Sequence, residues 1–396
     1  MNILFIEIAS DGTVGGSHTC LFNLVSNLNS DKYKSHIGFY ETNSYVDKFE
    51  NIGVPVHLIN RKPITHGIIF IRKLRNWYRL IYKHRKELAK ILKQNKIDLV
   101  VLNNTIKYSN DIVSICNKNR IPIIAYERGH LEYNRLDIRL TNSIFASIAV
   151  SKAIESNMKK QQYRARTHVI YDGMPVHDRT NHFGRRNIAD IKYDIDVPED
   201  SIVVGIVGNI RGWKGQEYFV RAFMSLGEKY KNMYGLIIGG HGSEDDEYLK
   251  LLKNITERSE VGNRLRFLGF RDDVPELLRI MNVFIHASIK PEPFGMVLLE
   301  AMLYKVPVIA TNLGGPIEIL EKGHYGILVP PCDVDAIVDG VEKYLSNSTF
   351  REEVIEKAQK RVIEAFDQRK TIEMVEDLFH EAVANSNRSS KSIQNV

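Results

Sequence analysis

The chain has 396 residues, 43% of them hydrophobic and 26% charged, and a formal net charge of +6. That length exceeds one ordinary core and points to two domains, and so small a charge excess does not by itself indicate a nucleic-acid binder. Three cysteines, Cys20, Cys116 and Cys332, lie far apart, which excludes a disulfide framework or a cysteine-ligand metal spacing and fits a reducing compartment.

Asn2 opens directly into a strand pattern with no basic leader before it, so no secretory signal is expected. No apolar run approaches the ~20 residues of a membrane span. Apolar runs predict strands at Ile3 to Ile8, His36 to Tyr40, Val54 to Ile59, Ile97 to Asn103, Ile121 to Tyr126, Ser147 to Val150 and His168 to Tyr171. Helical patterns lie between several of them. The second half repeats the scheme at Ile202 to Val207, Gly235 to Ile238, Leu265 to Leu268, Val283 to His286, Val306 to Ala310 and Gly326 to Val329. Such alternation predicts an α/β fold with a doubly wound parallel sheet in each half. The boundaries read as a first domain over 1–175, a polar and weakly periodic linker over 176–200, and a second domain over 201–370. A helical stretch follows at 371–384. The Ser- and Asn-rich tail, 385–396, is expected to be disordered.

After the first strand, a loop ending Gly15-Gly16-Ser17-His18 leads into a helix, and its glycines let backbone approach a ligand. From Ile71 to Lys96 the chain carries ten Lys or Arg, one acid (Glu87) and interleaved apolar residues. Helix formation alone explains the apolar stripe but not the scarcity of acids. A basic amphipathic face suits an anionic membrane surface or a phosphorylated lipid-linked acceptor. Glu127-Arg128-Gly129-His130 follows a strand and so stands at a ligand-binding edge. Asn209-Ile210-Arg211-Gly212-Trp213-Lys214-Gly215 and the turn Gly239-Gly240-His241-Gly242 follow two more strands. The acids 244–247 look like a metal cluster but read better as a helix start favoured by its dipole.

The longest informative stretch runs from Val283 to Pro316 as strand, loop, helix and strand. Its loop contains Glu292 between two prolines, then Phe294-Gly295; its helix carries Glu300 among apolar neighbours. Pro293 suits a first helical turn, and Gly295 admits close backbone approach. The amides of Phe294, Gly295, Met296 and Val297 are those of a helix start, an anion site suited to phosphate. Glu300 is expected to be at least partly buried, where a carboxylate needs partners.

P-E-P-F-G-M-V-L-L-E-A-M, with two glutamates separated by seven residues and G-G-P-x-E downstream, closely resembles the signature of the retaining glycosyltransferases of family four, which have the GT-B fold. The resemblance extends over nearly the whole chain. It implies two Rossmann-like domains facing across a cleft, the first binding acceptor and the second a nucleotide sugar, with the last helix returning to the first domain. It implies donor contacts from Gly15, Gly16 and Ser17, from Gly240, and from Phe270 and Arg271 at the base. It also implies a pyrophosphate grip by Lys214; where the family carries an Arg this chain has Asn209, and Arg211 is the candidate substitute. His130, Glu127 and Arg128 fall on the loop that in the family nears the transferred sugar and acceptor.

The implied activity is sugar transfer, with retention, from a nucleotide sugar, expected to be UDP-linked. The expected acceptor is a lipid-linked saccharide or surface-polysaccharide precursor on the inner face of the cytoplasmic membrane. Two closing domains would hold the donor. Lys214, Arg211 and the amides near Gly295 would take the diphosphate, Glu292 sugar hydroxyls and Glu300 the ribose. The growing charge on the leaving group makes a fixed cation most useful in the transition state. No cofactor, metal or nucleic acid is expected. The alternatives are a nucleotide-sugar epimerase or phosphorylase on the same fold, and a non-catalytic partner protein.

Overall fold

The computed structural model describes residues 1–7, 14–59, 71, 84–176, 186–257 and 259–394, the side chains of 387–394 excepted. The chain divides into two compact units, Met1–Asp172 with Lys370–Val396, and Gly173–Arg369.

The first unit is built on seven strands, β1 (Asn2–Glu7), β2 (Lys34–Phe39), β3 (Val56–Leu58), β4 (Leu99–Leu102), β5 (Ile123–Glu127), β6 (Ala146–Ala149) and β7 (Thr167–Val169). They lie in the order β3-β2-β1-β4-β5-β6-β7, every pairing parallel. The second unit has β8 (Ile202–Val207), β9 (Met233–Ile238), β10 (Leu265–Gly269), β11 (Val283–His286), β12 (Val308–Thr311) and β13 (Ile327–Val329). Their order is β10-β9-β8-β11-β12-β13, again all parallel. Each expected strand forms, its ends within two residues of the sequence reading.

The central strands are apolar along most of their length because helices cover both faces of a parallel sheet. Leu99–Leu102 and Val308–Thr311 are buried at every position. Each unit has its own core cluster, one around Leu4, Val100 and Ile112, the other around Val204, Phe219 and Ile285. In both sheets the strand order reverses beside the first strand, between β1 and β4 and between β8 and β11. Loops leaving the carboxyl ends there diverge to opposite faces, which opens a crevice.

Two sequence expectations about connections are corrected. The stretch 176–200 is not a plain linker. Residues 177–185 lie outside the described ones, but Asn187 caps a helix over Ile188–Asp194, and Arg266 holds the carbonyls of Ile195 and Asp196. That segment belongs to the second unit. The chain passes between units at 172–173 instead, and back at 369–370.

The tail is not disordered over 385–394, since one helix spans Gln368–Gln394; residues 395–396 lie outside the described ones. Ser and Asn cost a helix only a few tenths of a kcal/mol each, up to about 0.7, and the packed part of the helix carries them. Phe379 stacks edge-on against Phe5, Tyr33 Oη meets His380 Nε2 at 2.8 Å, and Ser386 Oγ donates to the carbonyl of Arg120 at 2.8 Å.

Candidate active site

In the second unit, the carboxyl ends of β8 and β11 bring two loops together. After β8, Gly208 and Gly215 take positive φ values of 150° and 71°. A Cβ on Gly215 would lie 1.9 Å from the carbonyl oxygen of Ala287, so only glycine permits this contact. Ile289 N donates to the carbonyl of Trp213 at 2.8 Å. The loop carrying Lys214 is thereby fixed against the loop carrying Glu292.

Glu292 is 8% exposed. Its Oε2 accepts from Lys214 Nζ at 2.7 Å and from Ser288 Oγ at 3.2 Å, and lies 3.2 Å from His286 Nε2. Burial alone would raise this carboxyl. The Lys214 ammonium and His286 overcome that and hold it well below the ordinary carboxylate range. The site is thus built around an ionised acid beside a cation. Gly295, at φ 110°, precedes the helix Met296–Leu303, and Leu298 N closes its first turn onto the Gly295 carbonyl. Met296 and Val297 stand in that turn, where amides lack intrahelical acceptors. Pro293 and Phe294 lie between, with Phe294 packed on Phe366. One turn deeper, Glu300 is half-buried; burial pushes its carboxyl up to about 7.

The neighbouring loops complete this rim. Ile210 N donates to the carbonyl of Gly240 at 2.8 Å, and Gly239 N to that of Gly269 at 2.8 Å. Phe270 follows and is 63% exposed, while Arg271 is tied to Asp273 by two hydrogen bonds. Asn209 is half-buried, and its carbonyl accepts from Gln216 Nε2 at 3.0 Å. Arg211 lies near acids, with 3.9 Å to Glu244 and 3.7 Å to Asp245. Those acids form a short 3-10 turn ahead of the helix Asp246–Thr256. Among the described residues no cluster of His, Cys, Asp and Glu is placed to hold a metal.

The remaining candidates lie in the first unit. Gly15 caps the helix Gly16–Asn27. A Cβ on Gly15 or Gly16 would meet nothing within 4 Å, so packing among the described residues does not explain these glycines. Ser17 Oγ lies 3.4 Å from His18 Nδ1; residues 10–13 of that loop lie outside the described ones.

Glu127 is fully buried and accepts from Thr105 Oγ1 at 2.7 Å, Ile106 N at 2.9 Å, Tyr133 Oη at 2.7 Å and Tyr163 Oη at 2.9 Å. Arg128 pairs with Asp172 and donates from Nε to the carbonyl of Asn103 at 2.8 Å. Both side chains are therefore spent inside the unit rather than offered to a ligand. His130 is half-buried, with its Nε2 atom buried.

Sequence reasoning missed two groups. One is His286, whose signal was a histidine ending an otherwise apolar strand just before the ligand loop. The other is the pairing of Glu7 with Asn103 and Asn104 at 2.5 and 3.1 Å, at the carboxyl ends of β1 and β4. No local pattern joins residues so far apart in the chain.

Two family models match the sequence, Glycosyltransferase Family 4 over residues 14–177 and Glycosyl transferases group 1 over residues 187–361. The N-acetyl-alpha-D-glucosaminyl L-malate synthase of Bacillus anthracis is 29% identical over 199 residues, 50% of each chain. A capsular polysaccharide biosynthesis glycosyltransferase of Staphylococcus aureus, CapM, is 29% identical over 185 residues, 46% of each. The chain thus spans about half the length of the curated relatives it matches. Anabaena HepE, solved with UDP-glucose, superposes with a TM-score of 0.81 at 23% identity, covering 96% of this chain and 100% of that one; this likeness is one of fold.

Proposed function

Since the chain belongs to the glycosyltransferases, with a family 4 domain followed by a group 1 domain in the GT-B fold, we propose that it transfers a sugar with retention from a UDP-linked donor. The observation that carries this reading is the Lys214–Glu292 pair at the crevice beside β8 and β11, 2.7 Å apart. An ammonium has three N–H donors and Glu292 uses one, so Lys214 can also hold a diphosphate. The first-turn amides at Met296 and Val297 add partial positive charge on the same rim. As the sugar–phosphate bond breaks, charge grows on the leaving oxygen, and these fixed groups stabilise it most at that point.

The other roles follow from placement. Glu292 accepts from sugar hydroxyls. Glu300, whose burial favours its neutral form, gives up that proton and accepts from ribose hydroxyls as a carboxylate. Phe270 offers an exposed ring to the base. Arg211 moves from Glu244 and Asp245 to the diphosphate when that anion arrives. The acceptor hydroxyl attacks from the face the diphosphate leaves, and a phosphate oxygen takes its proton, so neither a protein nucleophile nor a metal is required. His130 is the candidate on the acceptor side, with Glu127 and Arg128 holding its loop. The UDP-glucose complex of HepE supports the uridine choice, and CapM supports a surface-polysaccharide or lipid-linked acceptor.

An anionic membrane is the proposed surface for the basic stretch. Residues 72–83 of it lie outside the described ones. In the helix His84–Gln94, Leu88 and Leu92 are buried while Lys86, Lys90 and Lys93 are exposed. No described helix is long and apolar enough to cross a membrane. Co-sedimentation with neutral and anionic vesicles tests this; equal partitioning would remove its electrostatic basis.

Calorimetry with UDP and GDP, followed by transfer assays on Glu292→Gln, Glu300→Gln and Lys214→Ala, tests the main reading. We expect UDP binding by the wild type and loss of transfer in each variant. A second reading, a non-catalytic partner, draws support from Asn209 and from Arg211 being engaged by acids. It requires that neither nucleotide binds.

A further inference from the structure

His286 ends β11 and has no part in the chemistry proposed above. It is 4% exposed, and its Nε2 lies 3.2 Å from both Glu292 Oε2 and Ser288 Oγ. With Ser288 Oγ and Lys214 Nζ, it makes a third donor converging on one oxygen of Glu292. The other oxygen, Oε1, receives no hydrogen bond from the described residues. A carboxylate oxygen only accepts, so Nε2 must carry the hydrogen for this contact to form. Nδ1 is buried and without a partner among the described residues.

The three donors differ in rigidity. Lys214 reaches Glu292 through a four-carbon stem, and a diphosphate would compete for it. A carboxylate held by Lys214 alone would swing when the lysine turns away. His286 cannot swing, because its strand is paired with β12 through His286 and Ala310 and its ring is enclosed. Ser288 is fixed too, its carbonyl accepting from Thr311 Oγ1 at 2.7 Å. The Glu292 backbone is flanked by two prolines and held by Gly315 N at 2.8 Å, so the side-chain torsions are what remain to be set.

We propose that His286 is a positioning residue: with Ser288 it pins Oε2 of Glu292 from the buried end of β11, so that Oε1 keeps one direction toward a donor-sugar hydroxyl while Lys214 engages the diphosphate. The inference rests on the reading of Glu292 given above.

A matched pair of amides tests it. In His286→Gln the amide nitrogen reaches nearly as far as Nε2, whereas in His286→Asn it falls one bond short. Acceptor-independent UDP release would be measured from UDP-glucose, UDP-galactose and UDP-N-acetylglucosamine, alongside UDP affinity by calorimetry. His286→Asn should lower UDP release roughly 10- to 100-fold with UDP affinity within about twofold of wild type. His286→Gln should recover most of the rate. Release by His286→Asn equal to wild type overturns the proposal. So does a His286→Gln variant as impaired as His286→Asn, since a side chain needed only for packing gives that pattern. A wild-type chain that neither binds UDP nor releases it overturns the functional reading itself.

Discussion

A side chain on Gly314 would stand 2.3 Å from the carbonyl oxygen of Glu292. The two residues form an isolated parallel bridge, and Gly314 has φ 71° and ψ −135°, a region in which a Cβ is strained. At Gly315 a Cβ would come within 2.2 Å of the Phe294 carbonyl oxygen. The glycine pair is thus the surface on which the Glu292 loop rests. Gly314→Ala should lower the unfolding free energy by about 1–3 kcal/mol or more. Sugar turnover should fall further than UDP affinity, because the loop that moves carries Glu292 and not Lys214. Urea unfolding and calorimetry measure both, and a variant with the wild-type midpoint would show that the two backbones part freely.

The charge on Glu292 makes a pH prediction. Burial opposes its ionisation, but Lys214 and His286 more than offset this, so its folded pKa lies below the ordinary 4.5. Its contribution to stability is complete above that unfolded value and disappears as pH falls through the lower folded value. The stability difference between wild type and Glu292→Gln should therefore shrink as pH falls from about 6 toward about 3. Lys214→Met should flatten most of that dependence, since the Lys214 ammonium is the largest influence opposing burial. Loss of Lys214 should also cost transfer ~2.7–4 kcal/mol in barrier. A constant difference across the range would mean that the pair is not formed in solution.

Much of this was legible from residue order. The strands were readable because buried parallel strands such as Ile202–Val207 are nearly uninterrupted Val and Ile; the helix after Gly295 was readable too, but it begins at Met296, so Pro293 and Phe294 stand ahead of its first turn rather than in it. What could not be read was pairing at a distance. Glu127 looked like a loop acid beside His130, yet four donors from three other segments enclose it. Arg211 was read as the candidate substitute for the cation missing at Asn209, but its approach to Glu244 and Asp245, at 3.9 and 3.7 Å, was not legible. The helical tail was misread for a related reason: Ser and Asn are weak helix residues, and no local signal shows that Phe379 and His380 anchor the turns before them.

Glu300 should behave in the opposite sense from Glu292. It has no donor among the described residues, and burial raises its carboxyl from 4.5 to about 7. The folded state then holds a proton that the unfolded chain has already lost. Stability is penalised as pH rises from the unfolded value through about 7, and Glu300→Gln should remove that slope. Ribose hydroxyls that donate to this carboxylate favour its charged form. UDP binding near pH 6.5 (about half a unit below that value) should therefore release more protons in wild type than in Glu300→Gln. Calorimetry in two buffers of different ionisation heat gives the proton count. Equal counts would place the ribose elsewhere.

The knot around Glu127 separates a holding role from an acceptor contact. Burial raises its carboxyl, while hydrogen bonds from Thr105, Tyr133, Ile106 and Tyr163 act against that rise. In Glu127→Ala the three hydroxyls can turn toward one another, but the Ile106 amide cannot, and each orphaned donor costs about 1–3 kcal/mol. We expect a loss of roughly 3 kcal/mol or more by chemical unfolding. Tyr133→Phe and Tyr163→Phe should each cost less and combine non-additively, because both donate to one carboxylate. His130→Ala should instead cost less stability than Glu127→Ala and reduce chiefly acceptor-dependent transfer. If Glu127→Ala kept its stability and lost transfer alone, the acid would have to face the acceptor, contrary to its enclosure by Thr105, Tyr133 and Tyr163.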